Sequence, residues 1–151
     1  NCSSAEVTSA VTATHLVQGM DLCTTATMEE ATWGVLSSEL LRANGVGSPD
    51  PLQVGILTAF GSLIQPQENT TLSVLSSGRA RGVNDPDFDP WDTSYSGWDT
   101  AVGAPADYTA VHNNLQTSSA CPSADPLVQD SVLLRIQLHP YHSIRKLQVD
   151  A

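Results

Sequence analysis

From Arg79 to Pro126 the chain shows almost no hydrophobic periodicity, and this limits what the remainder can build. Those 48 residues (79–126) of 151 are rich in Asp, Pro, Gly and Ser, so regular structure must come from the segments on either side. A stretch this long without its own helix or strand is unusual inside a compact domain and is as a rule functional or disordered. Its aromatics argue against plain disorder, because a chain that stays unfolded has little use for large apolar rings.

The densest part is Asn84 to Thr100. Five carboxylates, Asp85, Asp87, Asp89, Asp92 and Asp99, fall within fifteen residues, interleaved with Trp91, Tyr95 and Trp98, and no Lys or Arg lies between Arg81 and Arg135. Like charges this close repel, so the loop is solvated, ordered by a bound cation, or held by its aromatics. Asp85-x-Asp87-x-Asp89 matches the opening ligand spacing of a calcium loop, in which alternating carboxylates converge on one hard cation. An EF-hand fails further on, with Pro90 in place of the turn glycine and Ser96 in place of the bidentate Glu. A Ca2+ site using Asp85, Asp87 and Asp89, with Asp92 or Asp99 adding oxygens, competes with a merely solvated loop. A third reading makes Trp91, Tyr95 and Trp98 interface anchors, since aromatics set among polar residues mark contact surfaces.

The length suits a single domain over 1–151. A net charge of −10, from sixteen acids against five Arg and the single Lys146, excludes nucleic acid as a partner, because neutralising phosphates needs a basic face. No apolar stretch is long enough to span a bilayer, so membrane insertion is not expected. Abundant Thr, Ser and Val with scarce Lys suits an exported, β-rich protein, and a first residue other than Met suits a processed start, which together point to a secreted or cell-surface location. Cys2, Cys23 and Cys121 include no C-x-x-C pair, which disfavours structural zinc. In an oxidising compartment they suggest one bridge and one leftover thiol. Cys2–Cys23 is the favoured bridge and Cys23–Cys121 its rival.

The elements read as mainly β. Ser4 as N-cap, with Val7, Ala10, Val11 and Thr14 at helical spacing and Gly19 as the stop, predicts a helix over 4–19. Trp33 to Arg42 reads better as a strand closed by Asn44-Gly45 than as a helix. Leu52 to Ile64 reads as irregular or a short helical turn, and Thr71 to Leu75 as a strand. Val128 to Leu138 is the clearest strand, with Val132, Leu134, Ile136 and Leu138 alternating against Leu133, Arg135 and Gln137. Leu147 and Val149 start another alternating strand that stops at Ala151 while still apolar. Such an edge seeks a partner: either a later part of the domain or another chain completes it, through self-association or a second subunit.

Several ordered stretches resemble the myxobacterial branch of the "choice-of-anchor L" surface proteins. They are Asp21-Leu22-Cys23, Trp33-Gly34-Val35-Leu36-Ser37-Ser38, Gly55-Ile56-Leu57 with Phe60-Gly61, and Leu75-Ser76-Ser77-Gly78-Arg79-Ala80-Arg81. Ala120-Cys121-Pro122 and the strand from Val132 to Leu138, leading to Leu147-Gln148-Val149-Asp150-Ala151, complete the set. The resemblance implies a secreted, β-sandwich-like domain with no established enzymatic activity. The aromatic-rich second half of such domains, which follows the last strand, is missing from this sequence.

Catalytic chemistry has little to stand on. His139-Pro140-Tyr141-His142 is a turn rather than a metal site, because Pro140 interrupts any helix. Cys121 with His112 lacks an evident orienting group, and Ser76-Ser77-Gly78 lacks the Gly-x-Ser-x-Gly elbow. Arg79 and Arg81 are expected to pair with the acidic loop. The expected function is therefore a non-enzymatic structural or adhesive subunit. A calcium-dependent carbohydrate- or protein-binding module is the alternative, and a secreted hydrolase a distant third.

Overall fold

The computed structural model describes residues 2, 5–29, 32–66, 70–89 and 130–140. They form mostly strands with one short helix, a mainly-β fold. In order these are α1 (Ala13–Gly19), β1 (Gly34–Arg42), a 3-10 turn (Pro51–Gln53), β2 (Val54–Leu57), β3 (Leu72–Leu75) and β4 (Val132–His139). β1 pairs antiparallel with β4, and β2 antiparallel with β3.

The β1–β4 ladder forms across the long aperiodic stretch: Gly34 faces His139 and Arg42 faces Val132. Residues directly opposite each other share a face. Ser37 and Glu39 therefore join Gln137 and Arg135 on the exposed side, while Leu40 and Ser38 join Leu134 and Ile136 on the other. A β-bulge between Val35 and Ser37 makes Leu36 the extra residue and sets Val35 opposite Leu138. The bulge moves the buried Val35 onto the same face as Leu40, although the two have opposite parity in sequence. Without it, one of them would face solvent. The exposed face carries the Glu39–Arg135 ion pair.

The helix predicted over 4–19 is shorter at its start. Val7 instead forms an antiparallel bridge with Ile56 of β2, through Val7 N–H to Ile56 O at 3.0 Å and Ile56 N–H to Val7 O at 2.9 Å. Ala10 takes a left-handed φ of 53°, which no helix accommodates. The β-branched residues of this segment favour extended backbone. The helix begins only where Thr12 and His15 close a capping box: Thr12 Oγ1 accepts from His15 N–H, and His15 Nδ1 accepts from Thr12 N–H.

The reading of 52–64 as irregular or a short helical turn holds only at its start, in the 3-10 turn, and is corrected by the strand that follows. Asp50 caps the 3-10 turn, its side chain accepting from Leu52 N–H, and Gln53 returns a bond to Asp50 N–H. Val54–Leu57 then runs as a strand buried at all four positions. A strand covered on both faces shows no alternation, so its period was invisible in sequence. The other three strands begin slightly later than expected, at Gly34, Leu72 and Val132.

The core gathers Leu16 and Val17 of α1, Val54, Ile56 and Leu57 of β2, Val74 of β3 and Ala80. Helix α1 touches both sheets, packing on β1, β2 and β3. The approach is close at Gly19, where a Cβ would lie 2.5 Å from Ser73 Oγ and 2.9 Å from Ile56 Cδ1. Gly55 is equally confined, its absent Cβ falling 2.7 Å from the carbonyl oxygen of Ala80. Cys2 and Cys23 form the expected disulfide, with Cα atoms 5.4 Å apart, tying the N-terminal segment to the chain just past α1.

Candidate functional site

Two elements converge on the carbonyl-rich end of β2: the N-terminal segment at Val7–Thr8 and the loop that follows β3. Arg81 locks them together. Its side chain is only 5% exposed. Nη1 donates to the carbonyls of Ala80 (2.7 Å), Val54 (3.0 Å) and Leu52 (3.5 Å), and Nη2 to those of Thr8 (2.6 Å) and Pro51 (3.3 Å). Nε is buried without a hydrogen-bond partner. Burial lowers the Arg81 pKa, a pull opposed by the nearby carboxylates of Asp87 and Asp85. The expected pairing with the acidic loop thus holds for Arg81 only as a field at a distance, since its donors go to backbone carbonyls. Arg79 reaches the loop directly, donating from Nη1 to Asp87 O at 2.8 Å.

That loop is wound by its own backbone. Asp85 N–H donates to Gly82 O at 3.0 Å, Phe88 N–H to Asp85 O at 3.2 Å, and Asp85 Oδ2 accepts from Gly82 N–H. Asp87 takes a left-handed φ of 64°, a conformation Asp tolerates better than most residues. The described half of the loop is therefore held by turns and by Arg79, with Arg81 acting on it only through its charge.

Arg81, Asp85, Asn84 and Phe88 border a cleft of about 400 Å³, closed on the other side by Glu6, Thr58 and Ser62. The Glu6 carboxylate is fixed there, its Oε1 accepting from both Thr58 N–H and Thr58 Oγ1–H at 2.8 Å. Around the mouth, Val83 is 73% and Phe88 37% exposed. The adjoining turn, closed by the Phe60–Ile64 bridge with Gly61 at φ 66°, holds out Leu63 and Ile64.

The predicted site residues divide accordingly. Asp85 lines the cleft, but Asp85, Asp87 and Asp89 do not bring three ligand atoms within reach of one ion. Among the described residues the one group that does is Cys2, Asp21 and Cys23. There the two sulfurs are bonded to each other, which leaves no thiolate to bind a metal. Asp92, Asp99, Trp91, Tyr95, Trp98, Leu147 and Val149 lie outside the described residues, as do His112, Cys121 and His142. His139 ends β4, with Nδ1 3.0 Å from Thr32 O. Sequence reasoning missed Glu6, which it placed in a helix, as well as Thr58, Ser62 and Phe88. Phe88, an apolar residue inside an Asp-rich run, was the one available signal.

No protein-family model, curated protein or solved structure matches the chain. Among the described residues, no helix is long and apolar enough to cross a membrane.

Proposed function

We propose that this chain is a non-enzymatic structural or adhesive subunit of an extracellular or cell-surface assembly, joined to its neighbours by strand pairing. The observation that carries this reading is the shape of its sheets. Each contains two full strands, and among the described residues β4 pairs with β1 alone. A two-stranded ribbon is marginal by itself, and an unpaired edge is a template for another strand. The resemblance to cell-surface proteins and the Cys2–Cys23 disulfide agree with an oxidising, extracellular setting. Sedimentation velocity on the full chain tests the idea. Association should grow between about 1 and 100 μM, and Leu133→Lys with Gln137→Lys on β4 should suppress it by placing charge along the edge. A wild-type chain that remains monomeric throughout that range refutes it.

The second reading, a carbohydrate- or protein-binding module, is favoured by the cleft between Glu6 and Asp85. Calcium at the acidic loop is less well supported, because the charge of Arg81 opposes a further cation near Asp85 and Asp87.

A further inference from the structure

We infer that the cleft over Arg81 binds a neutral carbohydrate and does so without a metal ion. This rests on the binding-module reading and names its ligand class.

Among the described residues, the cleft's two carboxylates each keep one oxygen open as an acceptor. Thr58 occupies Oε1 of Glu6, leaving Oε2; Gly82 occupies Oδ2 of Asp85, leaving Oδ1. A carboxylate only accepts, so the ligand must present several donors, while Asn84 and Ser62 meet its acceptors. An anionic ligand is disfavoured by both carboxylates and by the net charge of −10. A cationic ligand meets Arg81 at the floor, whose guanidinium is already committed to five carbonyls. A neutral, hydroxyl-rich ligand satisfies both conditions.

The same mouth offers apolar surface. Phe88 and Val83 stand exposed beside the carboxylates instead of in the core. A ligand matching both must have polar edges and an apolar face, and a pyranose ring does: hydroxyls project around its rim while C–H groups cover its flat side. An aromatic ring with polar groups at its margin suits that shape. A volume of about 400 Å³ accepts one or two such rings. The site is preorganised, since Glu6 is fixed by two bonds from Thr58 and Asp85 by its turn, so little ordering remains for the ligand to impose. The carboxylates recognise hydroxyl donors directly, so no bridging cation is required.

The test is an NMR titration of the 15N-labelled full chain in EDTA. The probes are cellohexaose, maltohexaose and N-acetylchitohexaose, with hexagalacturonate as the anionic control and hexaglycine as the peptide control. At least one neutral oligosaccharide should move the amide signals of Thr58, Gly82 and Asn84, with Kd between about 10 μM and 1 mM. Phe88→Ala and Asn84→Ala should each weaken binding about 10-fold while leaving the melting temperature unchanged. Failure of all three sugars at about 10 mM overturns the inference, as does tighter binding of hexagalacturonate. Tighter binding of hexaglycine, or sugar binding only after calcium is restored, overturns it too but leaves the binding-module reading standing. Silence from every probe, with and without calcium, sinks both.

Discussion

Replacing Arg81 by Met should unfold this protein more than any surface change, and the geometry sets the scale. Met fills much of the aliphatic volume but donates nothing. Five carbonyls lose a donor, of which Leu52 O keeps the amide of Ala80 at 2.7 Å. The carbonyls of Thr8 and Ala80, at 2.6 and 2.7 Å, lose the shortest bonds. Hydrogen bonds from a charged donor contribute about 1.5–3 kcal/mol each, so two of them set a gross loss of roughly 3–6 kcal/mol. Relief from burying the guanidinium offsets part of this, leaving a net loss of about 3 kcal/mol. With a urea m-value near 2 kcal/mol/M, the midpoint should fall by about 1.5 M, measurable by tryptophan fluorescence. Arg81→Lys should lie between the two, because an ammonium has three donors but lacks the planar fork that spans both Thr8 and Ala80. A midpoint for Arg81→Met within about 0.3 M of wild type would refute the keystone role, as would a lysine variant less stable than the methionine one.

Gly19→Ala should cost about 1–3 kcal/mol, read as a lower melting temperature, because its Cβ collides with Ser73 and Ile56 where α1 meets the β2–β3 sheet. Cys2→Ser with Cys23→Ser opens a loop of sequence separation 21, worth about 3 kcal/mol by chain entropy. Melting should fall by roughly 10 °C, and thiol titration of the denatured wild type should find one free cysteine per chain. Glu39→Gln should shift stability by less than about 0.5 kcal/mol, since the Glu39–Arg135 pair is 52% and 61% exposed and screened by water; a larger loss in chemical denaturation would show the pair matters to the β1–β4 ladder.

What could be read in the sequence was what leaves a local trace. β4 declared itself through four alternating apolar residues, and the Cys2–Cys23 pairing followed from having few choices. β1 was legible as a strand, but its faces were not: the Leu36 bulge reverses the parity between Val35 and Leu40, and no single-strand pattern reveals that. β2 lacked alternation because both its faces are covered. The N-terminal helix was overextended because Val7 answers to Ile56, a partner 49 residues away (56 − 7). The candidate site shows the same division. Asp85 stood out by composition, whereas Glu6 and Arg81 acquire their roles only when distant backbone closes around them.

The β1–β4 pairing also bears on how the molecule comes to exist during synthesis. Gly34 and its partner His139 are separated by 105 residues (139 − 34). At about 5–20 residues per second, a ribosome releases β1 roughly 5–20 s before the strand that covers it. During that interval Val35, Leu40 and Leu41 lie without their β4 partners on a growing chain, open to strands of other molecules. The segment between, rich in carboxylates and poor in cations, would repel the same segment on neighbouring chains during that wait. Shortening that segment would bring the two strands together sooner, at the expense of the acidic shield that covers the delay.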